Sequence, residues 1–269
     1  MQYDPIKKTV GRVFSGPIFM RKIFYFILDI LLLRAWHVRK ALRGIVRKYP
    51  DQASALDAGA GFGQYTWRMS RMNRQWKIKV VDIDQEHIDD NNRFFSKAGL
   101  SGRITCETMD LTELNETGSF DFILSVDVME HIEKDELVFR NFYRALKPGG
   151  SLLISTPSDQ GGSDVHGEEE ESFIDEHVRD GYGIAEISQK LGKAGFNNIK
   201  ASYTYGKPGA LSWRLSMKYP IRILNISKLF FIILPFYYLI FFPFAVILNI
   251  FDIFLTHKSG TGLLVSASK

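Results

Sequence analysis

The hydrophobic rhythm of the chain changes three times. Residues 18–33 (IFMRKIFYFILDILLL) are apolar at most positions and predict an apolar or amphipathic helix. Residues 36–48 continue as a basic helix that ends before Pro50. From there short apolar runs alternate with helical segments. Strands are predicted at 54–57, 76–82, 103–109, 120–126 and 151–155, with helices at 64–72, 85–98 and 134–146 between them. A helix at 184–194 closes at Gly195, and strands follow at 198–205 and 262–267. Strands alternating with helices of about 10–15 residues indicate a parallel sheet built from βαβ units. The last two strands have no core-type helix between them and are expected to form an antiparallel hairpin at one edge.

The third rhythm is LFFIILPFYYLIFFPFAVILNIF, residues 229–251, with no charge between Lys228 and Asp252. That length suffices for one crossing of a bilayer. If 262–267 pairs with 198–205, however, both ends of the intervening segment lie on one side, and the chain crosses an even number of times. The preceding stretch cannot supply a second crossing, because Arg214, Lys218, Arg222 and Lys228 interrupt it. Pro235 and Pro243 are expected to break the apolar run into a kinked or re-entrant path. Trp213 and Tyr219 beside these cations suit a membrane interface. The expected result is monotopic attachment, helped by residues 19–33. The alternatives are apolar helices buried against each other or in a dimer, and a single-pass anchor if 262–267 lies outside the sheet.

Charge adds to this picture. The net charge is +4, yet residues 1–50 hold 11 Lys/Arg against 2 Asp/Glu, which leaves −5 for the rest. A basic, aromatic-rich start suggests an anionic membrane surface or a nucleic acid. Phe and Ile spacing between the cations suits lipid better than a phosphate-tracking groove, so no nucleic-acid partner is expected. The apolar stretch at 23–33 contains Asp29 and lacks a small-residue cleavage site, unlike a signal peptide. The single cysteine, Cys106, excludes an intramolecular disulfide framework and suits a reducing compartment. The cytoplasmic face of a membrane is the expected location. The polar loop 158–172 (SDQGGSDVHGEEEES) reads as a solvated loop or a mobile lid.

The chemistry begins at ALDAGAGFGQY, residues 55–65. A strand enters, Gly59, Gly61 and Gly63 follow at alternate positions, and a helix starts. Glycines let the backbone turn sharply and let a ligand lie against it. The free N–H groups of the helix then point at that ligand. This is a nucleotide or nucleoside pocket at the carboxyl end of the first strand. The spacing is GxGxG with no Lys-Ser/Thr, which argues against a dinucleotide fingerprint and a P-loop. The second strand ends VVDID, where Asp82 can accept ribose hydroxyl protons beside Ile83, and Asp84 caps the next helix. The third ends Met109-Asp110-Leu111, an acid between two apolar side chains that suits an adenine; alone, Asp110 reads as a turn residue.

Together LDAGAGFG, VVDID, the MDL turn, FDFILSVDVMEHI and LKPGGSLLISTP resemble the successive motifs of class I S-adenosylmethionine-dependent methyltransferases. The resemblance spans about residues 40–205 plus 260–268. It extends to the subgroup with V-x-E-H after the fourth strand, which includes quinone, sterol and other small-molecule enzymes. It implies an α/β, Rossmann-like seven-stranded sheet in the order 3-2-1-4-5-7-6 with strand 7 antiparallel. The hydrophobic helical segment then becomes an insertion between strands 6 and 7. It further implies S-adenosyl-L-methionine as cofactor, with Asp57, Gly59, Gly61 and Gly63 on its methionine side. Asp82 and Ile83 would hold the ribose, Met109, Asp110 and Leu111 the adenine, and Asp127 would lie beside the sulfonium. No metal ligand set is expected. No diagnostic acceptor motif is present. A base for the acceptor is sought among His131, His177 and His166, with packing roles as the alternative.

Three regions are therefore expected: a membrane-proximal helix (1–35), a methyltransferase domain (36–206 plus 260–269) and a membrane-associating insertion (207–259). The expected function is methyl transfer to an amphiphilic or lipid-like acceptor such as a prenyl quinone or a polyprenyl- or lipid-linked intermediate. A soluble acceptor with the insertion used for dimerisation, or a non-catalytic tethered module, are the rivals.

Overall fold

A computed structural model describes residues 17–161 and 178–269. A seven-stranded sheet carries the fold: β1 (Ser54–Ala58), β2 (Lys77–Asp82), β3 (Ile104–Thr108), β4 (Phe120–Val126), β5 (Leu146–Pro157), β6 (Asn197–Thr204) and β7 (Gly262–Ser268). Its order is β3-β2-β1-β4-β5-β7-β6. The first five strands run parallel, and β7 runs antiparallel to both β5 and β6. This is the expected topology, with β6 on the edge.

Strand alternation builds two cores. Ala55, Phe122, Leu124 and Leu153 face one side, and Leu56, Ile123, Leu152 and Ile154 face the other. The second side is covered by α5 (Asp135–Ala145) and α6 (Ile184–Ala194), through Phe139, Phe142, Ile187 and Leu191. The first is covered by α1 (Ile18–Leu31), α2 (Leu33–Lys48), α3 (Gln64–Met72) and α4 (Gln85–Lys97). Helix α1 has two faces. Phe24 and Tyr25 enter the core, whereas Phe19, Ile23, Phe26 and Ile27 stay exposed. Arg21, one of the N-terminal cations that suggested an anionic membrane surface, is instead buried. It donates to Phe62 O at 2.7 Å and pairs with Asp90.

The insertion leaves β6 and returns to β7 side by side: Thr204 is registered opposite Gly262, and Thr261 N–H donates to Tyr205 O at 3.3 Å. It contains α7 (Lys207–Trp213), a π-helical turn (Arg214–Lys218), α8 (Tyr219–Ile226), a 3-10 turn (Lys228–Ile232) and α9 (Leu234–Phe254). The apolar run divides at Ile233, just before Pro235, but the expected break at Pro243 fails. Pro235 falls in the first turn of the apolar helix, where an N–H needs no partner. Pro243 sits inside, and the helix continues through it at the loss of one backbone bond. The tyrosines of α9 brace the π turn, with Tyr237 Oη donating to Leu215 O at 2.7 Å and Tyr238 Oη to Ser216 O at 2.9 Å.

The root of the insertion is polar. Asp252, fully buried in the last turn of α9, takes His37 Nε2 at 2.8 Å, Gly209 N–H at 2.9 Å and Tyr205 N–H at 3.1 Å, with His257 Nε2 at 3.1 Å. One carboxylate thus joins α2, α7, the end of β6 and the return to β7. Along α9 the buried positions are Ala245, Asn249 and Asp252, a narrow seam. Phe236, Leu239, Ile240, Phe244, Ile247 and Phe251 remain exposed around it.

Candidate functional site

Parallel βαβ units put the carboxyl ends of β1, β2 and β4 together, and the glycine turn lies there. All three glycines have positive φ: +79° at Gly59, +50° at Gly61 and +73° at Gly63. Their surroundings differ. A Cβ on Gly59 would overlap the Val128 side chain, and one on Gly63 the Asn91 carboxamide and Phe95 ring. A Cβ on Gly61 would meet nothing within 4 Å. Gly59 and Gly63 are therefore required by packing, whereas Gly61 forms an open cradle against which a ligand can lie.

The turn is held from behind. Asn91 Nδ2 donates to Gly61 O at 2.8 Å. Arg21 donates to Asn91 Oδ1 at 3.1 Å, and Tyr25 Oη donates to Phe62 O at 2.5 Å. On the open side Gly61 N–H donates to Asp82 Oδ2 at 2.7 Å, and Asp84 N–H to Asp82 Oδ1 at 3.0 Å. Burial works to raise the Asp82 pKa, but hydrogen bonding with His87 and with the Asp84 and Gly61 amides holds it below the ordinary carboxylate range. Asp82 is thus a fixed anion with acceptor capacity for ligand hydroxyls. Ile83 beside it leaves 74% of its surface exposed, an apolar lip on the cleft. Asp84 caps α4 through Glu86 N–H at 2.8 Å, as the sequence indicates.

Asp57 is buried at the end of β1 and takes the Thr66 hydroxyl at 2.5 Å. Burial pushes its pKa up to about 7; the Thr66 bond opposes this and the Asp82 charge adds to it. Met109 N–H donates to Asp82 O at 3.0 Å, which ties the third-strand turn to the site. Asp110 accepts Thr112 N–H at 2.8 Å and caps a 3-10 turn (Leu111–Glu113). Met109 is half-buried, whereas Leu111 is 5% exposed and belongs to the core behind the cleft. Asp127 leaves β4 with φ of +53° and ion-pairs with Arg34 of α2.

His131 is exposed on the 3-10 turn (Met129–His131) after β4. His166 and His177 lie outside the described residues, as does most of the 158–172 loop. Sequence reasoning missed Glu130, which is 1% exposed and takes the Thr156 hydroxyl at 3.0 Å. Burial raises its pKa, opposed by its own backbone N–H, the charge of His131 and the Thr156 bond. It also missed Arg21, Tyr25, Asn91 and Arg34. The one available signal was a charge set within apolar segments, at Arg21 and Arg34, which asks for a buried partner.

With this geometry in view, residues 55–150 match the family described as methyltransferase domain. Phosphoethanolamine N-methyltransferase of Triticum aestivum is 31% identical over 150 residues, covering 54% of this chain and 28% of the relative. Ubiquinone biosynthesis O-methyltransferase of Xanthomonas axonopodis pv. citri (strain 306) is 26% identical over 110 residues, covering 41% and 45%. The chain thus spans less than half the length of either relative. Phosphoethanolamine N-methyltransferase 2 of Haemonchus contortus, solved with S-adenosyl-L-methionine, superposes with a TM-score of 0.59 at 20% identity, covering 91% of this chain and 60% of that one. Residues 55–150 therefore resemble a methyltransferase domain, and the chain shares the Rossmann-like fold of that structure.

Proposed function

We propose that the protein is an S-adenosylmethionine-dependent methyltransferase that works on an amphiphilic acceptor at a membrane surface, from the cytoplasmic face. Bound S-adenosylmethionine supplies a methyl group already activated on its sulfonium. The chain would hold this donor with the Gly61 cradle, Asp57 and Asp127 on its charged side, and Asp82, Ile83, Met109 and Asp110 on its nucleoside side. The open space at Gly61 supports that fit. His131 is the described candidate for taking a proton from the acceptor.

The observation that carries the membrane reading is where the apolar insertion is rooted. Tyr205, at the end of β6 where the insertion departs, accepts Arg34 N–H at 2.8 Å, and the Arg34 guanidinium pairs with Asp127 in the cleft. The insertion therefore starts at the rim of the donor site. Its helix Leu234–Phe254 is long and apolar enough to cross a bilayer, and 11% of its apolar window is buried. Each large apolar side chain left in water forgoes about 1.5–3 kcal/mol of burial. Lys207, Arg214, Lys218, Arg222 and Lys228 precede it without an acid, and α2 exposes Arg39, Lys40, Arg43 and Arg47. These cations suit anionic headgroups. Phosphoethanolamine and ubiquinone relatives bracket the acceptor chemistry; the exposed insertion favours the lipid-like side.

The test offers purified protein and labelled donor two acceptor sets: prenylated phenols and lipid-linked compounds in anionic vesicles, and phosphoethanolamine in solution. Vesicle-dependent labelling of the first set is expected. Equal turnover of the soluble set without vesicles would overturn the membrane reading.

A further inference from the structure

The donor cleft is rich in acid. Asp57, Asp82, Asp127 and Glu130 stand at or just beyond the ends of β1, β2 and β4. A cation from outside the sheet reaches one of them: Arg34, the second residue of α2, pairs with Asp127. The two side chains are 24% and 26% exposed, so an incoming ligand can reach the pair. The carboxylate is held in place. Asp127 N–H donates to Ser155 O at 2.8 Å, and the next residue, Val128, fills the space beside Gly59. Asp127 therefore stands at the glycine turn on the β4 side, while Asp82 stands on the β2 side. The Arg34 backbone N–H donates to Tyr205 Oη at 2.8 Å, and its guanidinium reaches Asp127 at the end of a long side-chain stem.

S-adenosylmethionine carries one more positive charge, on sulfur, than its demethylated product. If Asp82 held the nucleoside hydroxyls, Asp127 on the opposite side of the turn would be a carboxylate able to meet that charge, and Arg34 already pairs with it. We propose that Arg34 is a positioning residue whose guanidinium alternates with the positive end of the donor on Asp127. Donor entry displaces Arg34. Loss of the ligand's charge after transfer lets Arg34 return, which disfavours retention of the product. The inference rests on the methyl-donor reading but not on the acceptor or the membrane.

The test is calorimetric binding of S-adenosylmethionine and S-adenosylhomocysteine to the full chain. Wild type is compared with Arg34→Gln, Arg34→Lys and Asp127→Asn, with a thermal melt for each. Arg34→Gln is expected to tighten S-adenosylmethionine by about two- to fivefold at low salt, as an exposed pair allows. It is expected to tighten the product less, so that discrimination for the donor rises. The gain shrinks as salt is added. Arg34→Lys restores wild-type discrimination, and Asp127→Asn lowers it. Equal shifts for the two ligands, or weaker binding of both with a lower melting midpoint, would mark Arg34 as merely structural and overturn the proposal. If no form, wild type included, bound either ligand, the methyl-donor reading would fall first.

Discussion

Asp57 illustrates how one buried carboxyl links stability to ligand binding. Its pKa in the folded chain, about 7, lies above the unfolded carboxylate value. The folded state then keeps a proton that the unfolded state has released. Its contribution to stability is fully present below the unfolded value and is lost as pH rises through about 7. A cationic donor needs the carboxylate, so binding should release that proton. Donor affinity is expected to rise with pH through the same region, and Asp57→Asn to flatten the profile, as read by calorimetry across pH. Gly61 gives a second test at this scale. A side chain there meets open space but an unfavourable φ of +50°. Gly61→Ala is expected to cost about 1–2 kcal/mol in denaturant unfolding, while donor binding falls more steeply because the Cβ occupies the cradle. Gly61 was legible from the strand–glycine–helix pattern, because a turn that tight restricts which residue types fit, whereas Asp57 was marked by the resemblance of the motif. The partners that lock the turn were not, since Arg21, Tyr25 and Asn91 reach it from other elements.

Helix α1 shows what periodicity can and cannot resolve. Its apolar positions surround the helix, so the sequence marks it as apolar without saying which side meets protein. Docking decides: Arg21 and Tyr25 clamp the glycine turn, and Asp29 takes Gln64 Nε2 of α3 at 2.8 Å. Arg21→Ala leaves Asp90 without its buried cation and is expected to cost about 3 kcal/mol, with weaker donor binding as the turn loosens. Denaturant unfolding and calorimetry read the two effects. The root of the insertion makes a parallel case. Asp252 ends the uncharged run in the sequence and looks like the first polar residue after an apolar helix. In the fold it is the buried acceptor for His37, Gly209 and Tyr205. Asp252→Ala is expected to cost about 3–5 kcal/mol, seen as a lower thermal midpoint, and to release α7 and α9 from α2.

For the whole molecule, the question is how a sheet covered on both faces carries so much uncovered apolar surface. The narrow seam Ala245, Asn249 and Asp252 lets α9 pack on the rest of the insertion while its other sides stay open. The double change Leu239→Glu with Phe244→Glu touches only that open surface. It is expected to reduce binding to anionic vesicles at least about a hundredfold, with donor affinity unchanged, in sedimentation and calorimetry run side by side. Loss of a dimer in solution, with vesicle binding intact, would instead assign the surface to self-association. The strands, the cradle and the insertion's two flanking strands were readable from the chain, because hydrophobic period and turn chemistry act over a few residues; the order of the strands was implied by the resemblance of the motifs. Only the tertiary structure decided that Arg21 braces the glycine turn, that Arg34 pairs with Asp127 and that Asp252 anchors the insertion. A charge in an apolar segment gains its role from whichever distant group removes it from water, and that partner is set by packing.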